Sequence, residues 1–559
     1  MNCIEVIAPI KKPEDIEIFS KFSACRKFYV YHKKFMDGNF DYIDKFVESA
    51  QKNSSQIFIN FKHNIVEKDL DTIKNMINYL SKINIDGIFV NSYAVLNAVK
   101  SYKLPFKVIV DSYFDIHNLA GIDFMNQFHK IDAVLLTEEI YLKNIEKIKK
   151  YTNLPLAIDT DNLPWFVENV VKSNIIDSVV IKGKFSESED ILDSILLVEK
   201  ILENPKMYKN QKFPFKHVRK SIYQTNHFSG DVMSAEGQDF KFSRNIINFD
   251  WKYKKTNLRK NTQYSKDENY KINFRLSELA QLKILEKYID KIGFNPVDSI
   301  EYGEILSTAD LSKHSFEQVI NKVKKFCERF NIEFNLSTPR ILIERDFDRV
   351  FEYCKDLALR NPVVSSVIIN NIGFFWNVIN DNEFSKIPIE IGQGLNLLNS
   401  VSISCLHNLH SINAIDFTSN GDIFEISDVI KNVKKFIKYR KITIAGNLRV
   451  PALGLCPLNS DSAVVSRLSC KAPCHRGGFA LHDPSINKVF PFTCDGFCRM
   501  HMFEDSILEN YDKIDDLLNI GINEFIFDFS ALNAKFVPIL LTNYLNKRSM
   551  ANNNSLLLC

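Results

Sequence analysis

The first 200 residues alternate short apolar runs with segments of helical periodicity. The runs are rich in β-branched and aromatic residues, and segments such as DLDTIKNMINYLSKI place apolar residues at i, i+3, i+4 and i+7. Eight such runs can be counted: IEVIAPI, KFYVYH, QIFINF, DGIFVN, FKVIVD, DAVLLT, PLAID and DSVVIKG. Eight strands that alternate with helices predict a (β/α)8 barrel. An open doubly wound sheet is the other arrangement, but no Gly-rich phosphate loop follows any run.

The same pattern resumes near residue 271 and repeats the order of the first half. FKVIVDSYFDIHNLAGI corresponds to IPIEIGQGLNLLNSVSI, and both place an Asn at the start of a helix. We therefore predict an α/β chain of two tandem TIM-barrel-like modules, the second with a Cys-rich insertion after a late strand. The predicted modules cover residues 1–204 and 271–545, with a basic, aromatic-rich linker over 205–270 and a disordered tail over 546–559.

Five of the eleven cysteines fall within 43 residues, in the insertion that follows the run KITIAGN. Cys456 comes first, followed by two C-x3-C pairs, Cys470 with Cys474 and Cys494 with Cys498. Loops after the strands of a barrel build its functional site, so the cysteines occupy the position of a functional loop. Zinc knuckles usually use short spacings, whereas iron–sulfur clusters also tolerate longer gaps. The spacing favours an iron–sulfur cluster and leaves a zinc site open.

Length, composition and charge narrow the class of protein. A chain of 559 residues is too long for one hydrophobic core, and 45% apolar with 25% charged residues is typical of a globular protein. No run reaches the roughly 18 apolar residues of a membrane span, and the N-terminus lacks the features of a secretory signal. We therefore expect a cytoplasmic chain, in which structural disulfides are rare.

Residues 206–260 carry thirteen Lys or Arg against four Asp or Glu, whereas the whole chain has a formal net charge of only +3. Aromatic residues, among them Phe249, Trp251 and Tyr253, interleave with these charges. Such a segment could follow a nucleic-acid backbone and stack bases, which makes RNA one expected partner. The alternative is a solvated connector whose aromatic residues pack it against the barrels.

Three segments around the cysteines form a motif: GNLRVPALGLCPL, CKAPC and FALHDPSINKVFPFTCDGFCRMHMFEDSIL. They resemble the signature region of the peptidase U32 family, also called the collagenase-like protease family, in its larger two-module members. The resemblance is strong over 440–530 and weak before residue 110. It implies a barrel fold and a [4Fe–4S] cluster held by Cys456, Cys470, Cys474 and Cys498. Cys494 falls where the family usually has another residue, and it is the alternative fourth ligand.

The resemblance leaves more than one activity open. Some members of the family are called peptidases, and others resemble oxygen-independent hydroxylases that act on RNA bases or on aromatic rings of quinone precursors. The sequence has no HExxH or G-x-S-x-G motif, and thiolates that hold a cluster are unavailable as nucleophiles. We therefore predict a [4Fe–4S]-dependent hydroxylase or related modification enzyme. A peptidase and a non-catalytic partner protein with a structural metal site are the alternatives.

Polar residues at the predicted strand ends of the second module are the candidates for a catalytic site: Arg340, Asn399, Arg449 and His501. Arg340 and Arg449 could hold an anionic substrate bidentately, which predicts a small anionic or aromatic substrate if the partner is not RNA. Asn399 has an alternative role as the cap of the helix that follows it. The alternative role of His501 is that of a loop histidine whose hydrogen bonds are satisfied.

Overall fold

Two closed barrels of eight parallel strands, with helices between the strands, form the body of the protein. The structure is a computed structural model that describes residues 4–22, 24–31, 40, 42–61, 64–102, 104–137, 140, 142–160, 175–182, 187–204, 246–251, 253, 256–259, 264–305, 310, 314–360, 364–418, 422–453, 478–483, 487–495, 497 and 499–556. The predicted fold class, two tandem TIM-barrel-like modules, is confirmed.

The first barrel contains the eight strands that the apolar runs predict. They are β1 Glu5–Ile10, β2 Cys25–Tyr31, β3 Gln56–Asn60, β4 Gly87–Val90, β5 Lys107–Val110, β6 Ala133–Leu135, β7 Leu156–Asp159 and β8 Ser178–Val180. Pairing of β1 with β8 closes the barrel. The helices described are α1 Glu14–Phe19, α2 Tyr42–Lys52, α3 Leu70–Leu80, α4 Tyr93–Tyr102, α5 Leu119–Phe128, α6 Leu142–Tyr151 and α7 Ser188–Glu203.

Apolar side chains fill the interior of the first barrel. One buried residue from each strand contributes to a single cluster: Ile7, Tyr29, Phe58, Phe89, Ile109, Leu135, Ala157 and Val180. The rings of Tyr29 and Phe58 both lie against Phe89, with centroids 5.5 Å and 6.0 Å away. A TIM barrel is a packed core rather than a pore, and this one is packed with large aromatic rings.

The second barrel is formed by β10 Lys271–Leu276, β11 Ser299–Tyr302, β12 Glu333–Ser337, β13 Val364–Ile369, β14 Ile389–Ile391, β15 Ile412–Asp416, β16 Tyr439–Leu453 and β20 Glu524–Asp528. Strand β20 pairs with both β10 and β16 and closes the barrel. The helices are α8 Leu279–Ile292, α9 Phe316–Phe330, α10 Glu344–Arg360, α11 Ile372–Asn380, α12 Ser400–His407, α13 Ile423–Val433, α14 Ile514–Ile520 and α15 Phe536–Leu556.

The insertion in the second module is an antiparallel sheet that continues from a barrel strand. Strand β16 is 15 residues long, and its second half extends past the carboxyl end of the barrel. There it pairs with β19 Met500–Glu509, which is followed in the sheet by β18 Lys488–Cys494, β17 Phe479–Asp483 and β9 Ile246–Asn248. The described strands that flank the cysteine-bearing segment therefore lie at the end of the barrel where functional loops collect.

The two barrels pack through the loops and helices that follow their third, fourth and fifth strands. Helix α5 packs against α11, and α4 packs against α12. The approach at α11 is close, because a Cβ at Gly373 would lie 2.0 Å from the side-chain oxygen of Asn118. A side chain larger than hydrogen at this position would separate the helices.

Parts of the predicted linker and tail carry regular structure. The linker contains β9, and the ring of Trp251 is buried, with its indole nitrogen 3.2 Å from the carbonyl oxygen of Ala531. Helix α15 continues to Leu556, past the point where the sequence predicted a disordered tail.

Candidate active site

Charged and polar side chains occupy the interior of the second barrel where the first has aromatic rings. Towards the amino ends of the strands, the Lys441 ammonium lies 2.6 Å from Glu390 Oε2 and 2.8 Å from Glu524 Oε1. Ser366 donates to Glu390 at 2.8 Å, and Asn273 donates to Glu524 at 3.0 Å. Ionised groups this deeply buried persist only when they are paired.

A second layer lies nearer the carboxyl ends of the strands and is centred on Arg275. Its Nε lies 2.7 Å from Glu301 Oε1, its Nη2 lies 2.7 Å from Asp416 Oδ2, and its Nη1 lies 3.1 Å from Asp528 Oδ2. One guanidinium therefore joins strands β10, β11, β15 and β20. This buried, charged layer forms the floor below the carboxyl ends of the strands.

Arg449 lies at the rim of the same network. Its Nε lies 3.0 Å from Asp528 Oδ2, its Nη2 donates to Ser530 Oγ at 2.9 Å, and its Nη1 contacts Glu304. Each nitrogen of the guanidinium therefore has a partner from the barrel. Arg449 lies within β16, past the part that pairs with β20, and these pairs hold it to the rim, where it is poorly placed to bind an anionic substrate.

Within the layer around Arg275, the carboxyl groups differ in the direction of their pKa shifts. Burial raises the pKa of Asp528, but the charges of Arg449 and Arg275 outweigh it, and the pKa is lowered. The pKa of Asp416 is lowered in the same way, with Arg275 as the main opposing charge. Burial prevails at Glu301, whose pKa is raised despite Arg275. In enzymes, carboxyl groups of one site whose pKa values are shifted in opposite directions commonly serve as the general acid and the general base.

The cysteines predicted to bind a cluster, Cys456, Cys470, Cys474 and Cys498, lie outside the described residues, although the strands around them are described. Leu453 at the end of β16 pairs with Met500 at the start of β19. Cys456 follows Leu453 by three residues, and Cys498 precedes Met500 by two. The segments that contain Cys456 and Cys498 therefore start from one paired end of the sheet. Three residues span at most about 10 Å, which limits how far each cysteine is from that end.

Cys494, the alternative ligand, is described and is the buried last residue of β18. It pairs with Met500 in the ladder between β18 and β19. Within the described residues, no group of three His, Cys, Asp or Glu side chains is arranged to hold a metal ion.

Asp495 organises the turn between β18 and β19. Its Oδ1 accepts hydrogen bonds from the backbone N–H groups of Phe497 at 2.8 Å and Arg499 at 3.0 Å. Its Oδ2 lies 3.1 Å from Nε2 of His501, which is buried. Burial raises the pKa of Asp495, but the hydrogen bond from His501 and the nearby charges lower it overall. His501 is thus a partner of this turn, in agreement with the alternative that its hydrogen bonds are satisfied.

Arg340 and Asn399 lie away from Arg449, at the interface between the barrels. Arg340 follows β12 and lies 3.8 Å from Asp115 of the first barrel. Asn399 is buried and caps α12, accepting a hydrogen bond from Ser402 N at 2.8 Å and donating one to Ile65 O at 2.7 Å. The structure thus shows the helix cap at Asn399, and the four predicted catalytic residues do not form one cluster.

Only part of the basic segment is described. Residues 206–245 lie outside the described residues, and those that follow pack against the second module. The rings of Phe249 and Trp251 meet edge to face at 5.1 Å, and Tyr253 lies against Phe536 at 6.1 Å. These three aromatic residues therefore attach the connector to the barrel, and the RNA prediction now concerns residues 206–245.

Sequence reasoning did not single out Arg275, Glu301, Asp416 or Asp528. A signal was present, because each of these charges stands beside apolar residues in a strand: NFRL, IEYG, AIDF and IFDF. Side chains of a strand alternate between two faces, so an isolated charge in such a run points into the barrel or out to the helices. Both faces of a TIM-barrel strand are buried, and a charged side chain is almost never buried unless it is paired. Such charges are therefore expected to form ion pairs.

The family model for peptidase family U32 matches residues 29–160 of this chain. The match falls on the first barrel, whereas the resemblance drawn from the sequence was strongest around the cysteines of the second. A search of curated proteins finds no significant match. Within the described residues, no helix is long and apolar enough to cross a membrane.

Solved structures give only distant similarities. The spore cortex-lytic enzyme SleL of Bacillus megaterium QM B1551 is 9% identical with a TM-score of 0.27, covering 51% of this chain and 75% of its own. The YdjI aldolase of Escherichia coli K12 is 10% identical with a TM-score of 0.26, covering 37% of this chain and 91% of its own. These similarities carry no functional information.

Proposed function

The match over residues 29–160 supports membership of the chain in peptidase family U32, and from that premise we propose that it is a [4Fe–4S]-dependent redox enzyme. In this proposal it catalyses oxygen-independent hydroxylation, or a related modification, of an RNA base or an aromatic ring substrate. The observation that carries the proposal is the difference between the two barrels. The interior of the first is filled by the ring cluster around Tyr29, whereas that of the second holds the buried ionised groups around Arg275.

The sheet above the second barrel suits a cluster whose ligands come from distant parts of the chain. Leu453 and Met500 are paired, so the segments with Cys456 and Cys498 begin side by side. Arg499 follows Cys498 in the chain and is buried, and a buried cation favours the thiolate form that binds iron. Cys456, Cys470, Cys474 and Cys498 would hold the cluster, which would supply one-electron transfer or an open iron site.

The floor of the barrel would orient the substrate. Arg275 fixes the carboxylates of Asp416 and Asp528, and Gln393 donates to Asp416 Oδ2 at 3.0 Å. A carboxyl group kept protonated by burial, as the raised pKa of Glu301 favours, could donate a hydrogen bond to a ring oxygen or a base carbonyl. These groups would hold the ring below the cysteine-bearing sheet and move protons there.

A peptidase is the second candidate, and one pair of residues favours it. The buried contact between Asp495 Oδ2 and His501 Nε2, at 3.1 Å, is the kind of pair that activates a thiol nucleophile. Both residues lie close in sequence to Cys494 and Cys498. Thiolates committed to a cluster cannot serve as nucleophiles, so the two candidates exclude each other at the same cysteines.

Mass spectrometry of substrates tests the proposal. RNA and small aromatic acids would be extracted from cells that carry the protein, the Cys456→Ala variant or no protein. The proposal predicts a product heavier by one oxygen atom only with the unaltered protein. Cleavage of casein that is equally fast with Cys456→Ala, together with no modified RNA or acid, would contradict the redox function and favour the peptidase.

A further inference from the structure

The geometry points to an anion-binding site at the seam between the barrels, formed by Arg340 and Arg499, for a phosphate or carboxylate group of the substrate. Its role in anchoring a substrate rests on the proposed function, but the site itself stands on the contacts of these two arginines. Arg340 belongs to the loop after β12, and Arg499 belongs to the turn before β19.

Arg499 is a buried guanidinium with a donor left over. Its side chain is 4% exposed, and its Nη2 lies 3.3 Å from Asp346 Oδ2. Its Nη1 is buried and finds no acceptor in the described parts of the chain. Leaving a buried charged donor unsatisfied is unfavourable, and such groups commonly await an ion or a ligand.

The acid beside Arg499 is shared among three cations. Asp346 also lies 3.2 Å from Arg345 Nη2 and 3.4 Å from Arg349 Nη2. Arg345 and Arg349 have side chains that are 63% and 72% exposed, so water screens their charges. The single carboxylate of Asp346 cannot neutralise three guanidinium groups, so positive charge is in excess around it. Of the three charges, the one that water does not screen is that of Arg499.

Arg340 adds a second cation to the same seam. Its nearest acid is Asp115 of the first barrel, whose Oδ2 lies 3.8 Å from Arg340 Nη2. The two groups therefore form an ion pair, but the distance is too long for a hydrogen bond. The planar guanidinium is thus able to present its donors to an oxyanion, which it binds with two parallel hydrogen bonds.

Arg340 and Arg499 meet one short stretch of the second barrel, because Arg499 pairs with Asp346 in the first turn of α10 and Arg340 lies in the loop that leads into that helix. The ring of His117 comes from the first barrel and is buried, and burial, Arg499 and Arg340 together lower its pKa to about 3. The charges of both arginines therefore reach the same imidazole, although they belong to different loops of the second barrel. The imidazole is neutral at ordinary pH and adds no charge of its own.

Two further acids lie nearby, and the charge of Arg499 helps to lower the pKa of one of them, Asp495. Glu344 Oε1 lies 3.5 Å from Lys147 Nζ, and its Oε2 accepts from the backbone N–H of Leu119 at 2.8 Å. Asp495 is held by its turn and by His501. Neither carboxylate is therefore committed to Arg340 or to Nη1 of Arg499.

The seam has a second, equivalent end, where the described lining of a cleft has no charged side chain. Asp115 and Asn396 both adopt left-handed backbone conformations with φ near +50° in equivalent loops. His117 precedes the cap residue of α5 as Leu398 precedes the cap residue of α12. Leu398 and Asn396 line a cleft with about 460 Å³ of empty space, together with Asn91. Of the two ends, the charged one is the one beside the turn that contains Cys498.

Binding by the purified, full-length protein tests the site. Isothermal titration would compare inorganic phosphate, benzoate and a short oligoribonucleotide as probes. Arg340→Gln and Arg499→Gln should each weaken binding by about tenfold or more, because a hydrogen bond to a charged group is lost. Arg360→Gln, at the exposed end of α10, is the matched control and should bind as tightly as the unaltered protein.

The probes distinguish the sources of the anion. Arginine-dependent binding of RNA that phosphate displaces supports an RNA phosphate, and arginine-dependent binding of benzoate alone supports a ring acid. Arg499→Lys, which keeps the charge, should retain part of the binding even if Arg499→Gln unfolds. Binding that is unchanged in both Gln variants, or absent for every probe, would overturn the site. Iron content measured on the same samples separates the outcomes, because arginine-dependent binding without iron would contradict only the proposed function.

Discussion

Asn118 and Asn399 make the same contacts in opposite directions across the interface between the barrels. Asn118 caps the helix after the fifth strand of the first barrel and donates to Leu342 O at 2.7 Å. Asn399 caps the helix after the fifth strand of the second and donates to Ile65 O at 2.7 Å. The interface is thus an internal two-fold arrangement, as expected when two copies of one module pack like an isologous dimer.

Glutamates extend this symmetry. Glu344 accepts from the backbone N–H of Leu119 at 2.8 Å, and Glu67 accepts from that of Ser400 at 2.6 Å. Each glutamate follows the third strand of its barrel and lies at the first turn of a helix in the other barrel. Negative charge there is favoured by the unpaired N–H groups of the first turn.

Loss of either asparagine should weaken the interface. Asn118→Ala removes a helix cap and leaves the Leu342 carbonyl unpaired, which should destabilise the fold by about 2 kcal/mol. Asn399→Ala should do the same through Ile65. Asn380→Ala, which removes an exposed side-chain contact to Trp376 O, is the control. Thermal midpoints of the three variants check this, and equal midpoints would contradict the structural role of the pair.

Substitution of Glu301 should stabilise the protein at neutral pH. Burial raises its pKa in the fold above the ordinary 4.5, so folding is penalised once the unfolded chain ionises. Glu301→Gln keeps an acceptor for Arg275 without that penalty. The gain in free energy of unfolding should be present near pH 7 and should vanish below about pH 4.5. Urea unfolding at pH 4 and pH 7 measures it, and a loss of stability at pH 7 would contradict the raised pKa.

Asp416→Asn should lower the free energy of unfolding at neutral pH, the opposite of the effect of Glu301→Gln. Its pKa is lowered below the ordinary 3.8, so its ionised form stabilises the fold above that pH, and this contribution is lost as pH falls through the folded pKa. The substitution also leaves the Arg275 charge with one partner fewer, which should destabilise by about 3 kcal/mol or more. The same urea series serves here, and a variant as stable as the unaltered protein at pH 7 would rule out the pairing.

His117 should make the protein acid-sensitive. Its pKa in the fold is about 3, against an ordinary value of 6.5. As pH falls below 6.5, His117 binds a proton in the unfolded chain but not in the folded chain, so the free energy of unfolding decreases. His117→Gln should lessen this decrease between pH 7 and pH 5. An NMR titration that shows the His117 ring protonating near pH 6.5 would refute the account.

The two candidate fourth ligands should respond differently to substitution. Cys498→Ser should lower the iron content of anaerobically purified protein, whereas Cys494→Ala should retain it. Cys494 is buried in β18, so its loss should act through packing and destabilise by about 1 kcal/mol. The reverse pattern of iron content would assign the fourth ligand to Cys494.

Much of the fold follows from local pattern. The eight apolar runs of the first half became β1 to β8, because strands buried on both faces read as continuous apolar runs. The shared Asn-bearing helix starts became Asn118 and Asn399, and the cap role that the sequence left open for Asn399 is the one observed. Caps depend on neighbours two or three residues away, so the sequence contains that information.

The site was less predictable because its pairs are distant in sequence. Arg275 and Asp528 are 253 positions apart, and Arg499 and Asp346 are 153 apart. A one-dimensional pattern does not show which charges meet inside a barrel. At the carboxyl end, the sequence predicted a disordered tail over 546–559, and α15 continues to Leu556. Helix propensity is a weak guide when a helix has already formed and can propagate.

We propose that the cysteines beside the sheet above the second barrel hold an iron–sulfur cluster for redox chemistry. The most direct test is to purify the protein without oxygen and to count iron, sulfide and zinc per chain. The account predicts a brown protein with about four irons and four sulfides, as in a cubane cluster. A colourless protein that holds one zinc and no iron would contradict it.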